Sequence, residues 1–362
     1  MGSRPRWCAS TSWRRMLSPH GCRIPGAGRD TQAGFTCSVL YMKPISESVD
    51  MQISRARPIL LTGAHRSGTT WVGRILAAAP GVSLIYEPFN LRGRRAGVCA
   101  APWRYWYEYI CEENESSVLP ALRDTLSFHY NTREEIKSLH SLRDLARLAR
   151  DAARFGQARL ARARPIVKDP IALFSAPWLA SRFGMDVVVL IRHPAAFANS
   201  LRRRGWRFNF NNLLRQDLLM RSRLAAYRDE IRLFVDQEHD IIDQAGMLWK
   251  ALYATVDGYR REHPDWHFVR HEDLSADPHA AFRSLFATLD LELSDRASKR
   301  LGALTTGTAG ERPGDAVHWL QRDSSAVAHE WRSELNADQL DRLRDRVGDV
   351  YGSFYSDEDW GR

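Results

Sequence analysis

Between Thr62 and Trp71 the chain reads TGAHRSGTTW, with Arg66 followed by three hydroxyl side chains and no carboxylate anywhere in the stretch. A glycine turn at the start of a helix gathers backbone N–H groups around one small space, and the helix dipole adds positive potential there. Anion binding is therefore the chemistry this stretch favours. Loops that hold nucleoside triphosphates have the pattern GxxxxGK[ST], with a lysine after the second glycine for the outer phosphates and a hydroxyl for magnesium. Gly63 and Gly68 keep the glycine spacing, but Thr69 stands in the lysine's place and the cation has moved inside the loop, to Arg66. A glycine turn that merely starts a helix is the competing explanation. A second anion site separates the two.

Residues 186–206, DVVVLIRHPAAFANSLRRRGW, supply one. Val187–Ile191 is an unbroken aliphatic run suited to a buried parallel strand. Arg192 ends it, and Ser200 follows about two helical turns later. A guanidinium fork matches phosphate oxygens in two-bonded geometry and a hydroxyl adds another donor. Taken singly, Arg192 also fits a surface salt bridge and Ser200 a solvated helix position.

Arg66, Ser67, Gly68, Thr69, Thr70 and Trp71, followed by Arg192 and Ser200, resemble the sulfotransferase family. Its loop of Lys or Arg followed by SG[TS][TS] binds the 5′-phosphosulfate of 3′-phosphoadenosine 5′-phosphosulfate (PAPS), and its later arginine and serine clamp the 3′-phosphate. The resemblance covers roughly residues 58–355 and continues in HPDWHFVRHEDLSADP, where His271 replaces the aromatic residue usual before EDL. Glu272 and Asp273 are expected to cap and orient that strand end. Residues 318–335 resemble the segment that covers the donor, which implies Arg322 and Ser324 as further donor contacts. The RKG version of cytosolic small-molecule members is absent, so the likeness points to carbohydrate and bacterial-type members.

The same resemblance implies catalytic roles. LIYEPFN, residues 84–90, reads as a short strand delivering Glu87 to the ligand-binding edge of an α/β sheet. Glu87 matches the glutamate that serves as general base in sugar-sulfating members, a role needed because an alcohol attacks poorly until its proton is removed. The plain alternative is a carboxylate paired with Arg66 or Arg92. Lys168, ending the apolar segment before Asp169, joins Arg66 as a candidate to steady charge on the leaving phosphate; a surface Lys168–Asp169 pair is the alternative. No metal is implied, and activity without magnesium is expected.

The resemblance implies an α/β, P-loop-like three-layer fold, with a central parallel sheet of about five strands and helices on both faces. Residues 55–362 are assigned to this domain, with a helical insertion at about 92–164. In the insertion Ile136, Leu139, Leu142 and Leu145 form a stripe expected to pack into the core. Trp103, Tyr105 and Trp106 are candidates to stack on a sugar, and Asn209, Asn211 and Asn212 to bind hydroxyls. A helix bearing Leu340, Leu343 and Val347 should dock the C-terminal region, followed by an aromatic tail packed on the surface.

The formal charge of +9 raises nucleic acid as a partner. Residues 1–57 hold 9 Lys/Arg against 3 Asp/Glu, which leaves only +3 for the remainder, so no nucleic-acid partner is expected. Residues 1–54 lack hydrophobic periodicity and read as a disordered extension, an organelle-targeting segment, or the product of a start placed upstream of Met42 or Met51. No run reaches the ~20 apolar residues of a membrane span. Five cysteines without metal-ligand spacing suit a reducing compartment. The expectation is a cytoplasmic enzyme acting on a small-molecule or glycan hydroxyl, with peripheral contact to lipid acceptors left open. Its competitors are a P-loop nucleotide kinase or NTPase, a basic nucleic-acid-binding protein, and a relative that kept the fold without catalysis.

Overall fold

Five parallel strands form one sheet in the order β2-β3-β1-β4-β5: β1 (Ile59–Gly63), β2 (Val82–Tyr86), β3 (Arg164–Lys168), β4 (Asp186–Ile191) and β5 (His267–Arg270). The structure, a computed structural model, describes residues 56–91, 96–305 and 324–361. Strand β1 is central and every one of its residues is buried. In β4 Val187, Val189 and Ile191 enter one apolar cluster while Val188 and Leu190 enter another, so the sheet is covered on both faces. That explains why β4 reads as a continuous aliphatic run rather than an alternating one.

Helix α1 (Thr69–Leu76) lies on one face, where Trp71, Val72 and Ile75 meet Ile59, Leu61 and Phe282. The opposite cluster contains Phe197, Trp249 and Tyr253. The chain between β2 and β3 includes α2 (Leu142–Leu160), whose Arg154 reaches the Leu84 carbonyl of edge strand β2 at 3.5 Å. On the other side of the sheet order are α3 (Pro194–Arg202), α4 (Ile241–Glu262) and α5 (His271–Ala276), and α6 (Ala337–Tyr351) packs against α4. Leu343 and Val347 are the buried face of α6, as its spacing requires. No helix among the described residues is long and apolar enough to cross a membrane.

One packing expectation is overturned. The stripe Ile136, Leu139, Leu142, Leu145 is not core: Ile136 is 55% exposed, Leu142 86% and Leu145 51%. Ile136 belongs to a separate short helix, and Ser141 starts a new one by accepting from the Asp144 N–H. The face that α2 buries is instead Leu148, Asp151, Phe155 and Ala158. The C-terminal aromatic tail packs as expected, and more deeply than a surface layer. Tyr351, Phe354, Tyr355 and Trp360 are buried, and Trp360 meets the buried His193 ring edge-on with centroids 4.8 Å apart. Each such aromatic contributes roughly 1.5–3 kcal/mol by leaving water, and together they back the turn that follows β4.

Candidate functional site

All five strands point the same way, so their C-terminal ends share one rim. In register, Gly63 sits opposite Leu190, Lys168 opposite both Leu61 and Tyr86, and Ile191 opposite Arg270. The residues leaving the strands there are the 64–68 loop, Glu87, Asp169, Arg192 and His271.

The loop turns tightly. Ser67 N–H donates to the Ala64 carbonyl at 3.1 Å, and positive φ angles at Arg66 (68°) and Gly68 (96°) aim the backbone into the cradle. A Cβ on Gly63 would lie 2.4 Å from the Leu190 carbonyl oxygen, so this position admits glycine alone without moving β4. Ser67 is fully buried, yet its Oγ has no hydrogen-bond partner among the described residues. A buried hydroxyl left open at the start of a helix suits an anion.

Gly68 is held to its residue type twice over. Its left-handed backbone disfavours a side chain, and a Cβ would approach within 2.5 Å of Cδ2 of His271, which is buried against Trp71. Gly68→Ala is expected to lose about 1–3 kcal/mol to backbone strain, with further loss from displacing His271. Urea denaturation of the variant checks this, and an unchanged midpoint would refute it.

Arg192 is 7% exposed and its Nη1 donates to the carbonyl oxygen of Arg66. Among the described residues no carboxylate pairs with it, and its Nε is buried without a partner. Burial disfavours its charge, opposed chiefly by the Glu272 carboxylate. Its backbone is fixed on both sides: the N–H donates to Tyr253 Oη at 3.0 Å and the carbonyl accepts from Trp249 Nε1 at 2.8 Å. Arg66 Nε in turn donates to Ser200 Oγ at 3.0 Å, with the guanidinium 5.7 Å from the Trp206 ring. The two anion-site motifs, more than a hundred residues apart in sequence, therefore meet.

Glu87 follows β2 with φ at 48°, its N–H donating to the Lys168 carbonyl at 2.9 Å. Its carboxylate accepts from Lys168 Nζ through Oε1 and from Asn90 Nδ2 at 2.6 Å through Oε2. Among the described residues Lys168 is the cation that pairs with it; Arg92 lies outside them. Lys168 is 1% exposed, which excludes the surface Lys–Asp pair. Its ammonium stands 3.9 Å from the Tyr86 ring centre, and Tyr86 Oη is 3.2 Å from Thr70 Oγ1, linking this pair to the start of α1.

Asp169 is fully buried behind the pair and accepts from the Phe89 N–H at 2.7 Å and the Ile171 N–H at 3.1 Å, pinning the turn that carries Glu87. Burial first, and the Glu87 charge next, raise its pKa from 3.8 to about 8. Stability from a group raised in the folded state is fully present below its unfolded pKa and is lost as pH rises through the folded one. Wild-type stability should therefore decline from about pH 4 towards pH 8 by this contribution, and Asp169→Asn should lack that decline. Denaturation midpoints across this range check the sign. The amide should also cost about 1–3 kcal/mol at alkaline pH, since its NH₂ faces a backbone donor.

Several residues escaped the sequence reading. His65 is buried, with Nδ1 2.7 Å from Tyr107 Oη, and burial followed by the Arg66 charge lowers its pKa to about 3. Tyr107 Oη also accepts the His65 N–H at 2.9 Å, so the aromatic segment of the insertion holds the anion loop. Asn212 Oδ1 accepts the Trp106 N–H at 2.9 Å and Gln216 Oε1 the Tyr109 N–H at 2.8 Å. Asn212 is thus occupied in joining the two segments nominated for the acceptor. Asn209 Oδ1 accepts the Asn211 N–H at 3.0 Å, closing its own turn. Trp103 stacks on Phe89 at 4.0 Å and donates to the Pro88 carbonyl, beside Glu87. Glu272 accepts from the His193 N–H at 3.0 Å and from Tyr355 Oη at 2.9 Å, orienting the turn after Arg192. Arg322 lies outside the described residues; Ser324 begins a helix, Ser324–His329.

A five-stranded parallel sheet with helices around it and a glycine-bracketed loop at its rim is a P-loop-like α/β fold. Residues 58–295 match the model of the sulfotransferase family, and the chain belongs to that family. It is a sulfotransferase, an enzyme that transfers sulfuryl groups. No curated protein sequence matches it significantly. Among solved structures it is similar to the sulfotransferase domain from the curacin biosynthetic pathway (16% identity, TM-score 0.41, covering 82% of this chain and 99% of that one). It is also similar to sulfotransferase STF1 from Mycobacterium tuberculosis (16%, 0.37, 82% and 78%) and to mouse sulfotransferase SULT7A1 complexed with PAP (12%, 0.39, 85% and 88%).

Proposed function

We propose that the chain transfers a sulfuryl group from PAPS to a hydroxyl of a carbohydrate or glycolipid. The observation that carries this reading is the junction of the two anion motifs: Arg192 bonds the Arg66 carbonyl while the Arg66 side chain bonds Ser200. One molecule with two anionic ends fits such a junction. The open Ser67 Oγ and Arg192 Nε, both buried, are donors suited to phosphate oxygens. In this assignment Arg66, Ser67, Gly68, Thr69, Thr70 and Trp71 surround the 5′ end, and Arg192 and Ser200 bind the 3′-phosphate. Arg322 and Ser324 are proposed to approach from the covering segment.

The donor, when bound, supplies an activated sulfuryl group on a phosphate leaving group. Glu87 accepts the proton of the acceptor hydroxyl, with Asn90 and the Asp169-pinned turn fixing its direction. Lys168 and Arg66 stand as fixed positive charges at the rim, where they stabilise developing negative charge without reorganising. Trp106 and Trp206, both half-buried, flank His65 with ring centroids 5.8 and 6.5 Å from it. They give the acceptor side an aromatic wall suited to a sugar face. Among the described residues no cluster of His, Cys, Asp or Glu has metal-holding geometry. The proposed chemistry uses arginine and lysine where a kinase uses magnesium. The free thiols Cys99 and Cys111 fit the cytoplasm proposed as its compartment.

Titration with adenosine 3′,5′-bisphosphate and with ATP, each with and without magnesium, tests the donor assignment. Binding of the bisphosphate independent of magnesium is expected; tight binding of ATP alone would favour a kinase. A screen of mixed acceptors with sulfur-labelled donor tests transfer itself. Labelled carbohydrate or glycolipid is the expected product, and no labelled product from any acceptor would leave a fold kept without catalysis.

A further inference from the structure

The outward face of α2 is apolar where a surface helix is normally polar. Leu142 and Leu160 are 86% and 88% exposed and stand 18 residues apart, which is five turns, so they lie on the same line of the helix roughly 27 Å from each other. At about 100° per residue Leu145, Ala149 and Ala153 fall between them on this arc, and all three are exposed. The aspartates of the helix are elsewhere: Asp151 is on the buried face, and Asp144 is turned into bonds with Ser141 and Arg147. Exposed Arg143, Arg150 and Arg159 flank the arc. Ile136 is also exposed, on the preceding short helix, which the Glu135–Arg147 ion pair at 3.1 Å ties to α2.

We infer that this face of α2 docks the enzyme on an anionic lipid surface, with Leu142, Leu145 and Leu160 entering the headgroup boundary and the arginines meeting lipid phosphates. Charge decides between this occupant and a second copy of the chain. Residues 142–162 carry six arginines and two aspartates, a net of +4. A two-fold self-contact would set that charge against itself, since an isologous interface repeats the same patch on both sides. An acidic bilayer complements both the apolar arc and its basic border. A helix that lies in the interface has this make-up, a long apolar face bounded by Lys or Arg, and it needs no spanning segment. The docking goes beyond the proposed transfer reaction and stands or falls independently of it.

Sedimentation of the full chain with phosphatidylcholine vesicles, with and without phosphatidylglycerol, tests the inference. Binding is expected only with phosphatidylglycerol, weakened by salt, and reduced about tenfold or more in a Leu142→Glu, Leu160→Glu double variant. Both positions are exposed surface, so the variant should fold normally and keep its affinity for adenosine 3′,5′-bisphosphate. Undiminished vesicle binding by the double variant would overturn the inference by assigning the interaction to another basic part of the chain. Absence of binding to anionic vesicles would overturn it outright. So would a wild-type dimer in solution that the double variant abolishes, because the face would then belong to a second copy.

Discussion

Glu87→Gln should lower the turnover number by about 10²- to 10⁴-fold, the range that a positioned general base contributes, while affinity for adenosine 3′,5′-bisphosphate changes little. The amide keeps the size of the carboxylate and can still accept from Lys168 through its carbonyl oxygen. Asn90 can turn its own amide to meet the new NH₂ group. The turn itself stays pinned by Asp169 through the Phe89 N–H. A role limited to pairing the buried Lys168 predicts a different pattern: a loss of stability on the scale of ~3–5 kcal/mol, from a buried ammonium whose counter-charge is gone, with turnover preserved in the folded fraction. Single-turnover rates and urea denaturation on the same variant separate the two. Normal rates alongside a large fall in stability would end the assignment of Glu87 as base.

The strands at the heart of the sheet were legible because burial on both faces demands continuous aliphatic runs, and Val187–Ile191 has no polar residue to suggest otherwise. The anion loop was legible because only glycine tolerates the approach of Leu190 and His271 to its two ends. What sequence spacing could not supply was partnership across the sheet. Spacing left Lys168 as either a candidate charge for the leaving group or half of a surface pair with Asp169, and the order β2-β3-β1 removes the second by burying both and setting Lys168 against Glu87, 81 residues earlier. His65 and Tyr107 are bonded for the same reason, with 42 residues between them. Such contacts depend on where the insertion folds back, and no local period encodes that.

The failed stripe shows the limit of helical periodicity from the other side. Apolar residues at helical spacing specify a face but not what covers it, and the face of α2 that the body covers is the one bearing Phe155 and the buried Asp151. The C-terminal aromatic segment packs more deeply than a surface layer, because Asp359 pairs with Arg270 at 2.7 Å and Ser356 caps the last helical turn, leaving the rings free to pack around His193.

Arg192→Ala should weaken binding of adenosine 3′,5′-bisphosphate by roughly 100-fold, the ~3 kcal/mol expected for a charge-assisted hydrogen-bonded contact with phosphate. The more discriminating expectation concerns a ratio. If Arg192 grips the 3′-phosphate, wild-type enzyme prefers the bisphosphate over adenosine 5′-monophosphate, and the alanine variant loses that preference by weakening only the ligand that carries the group. The backbone at this position is tied to Tyr253 and Trp249, so removing the side chain leaves the strand end in place. Its bond to the Arg66 carbonyl is lost too, and a disturbed loop would weaken both nucleotides alike. Arg192→Lys should restore only part of the preference, because an ammonium is a point charge that cannot present the two-pronged fork. Ser200→Ala should cost less, about 0.5–1.5 kcal/mol, as the loss of one neutral donor. Isothermal titration with the two nucleotides across these variants measures the ratio directly. Equal weakening of both ligands by Arg192→Ala would make the arginine a support for the loop rather than the second grip, and the site would then hold only one anionic end.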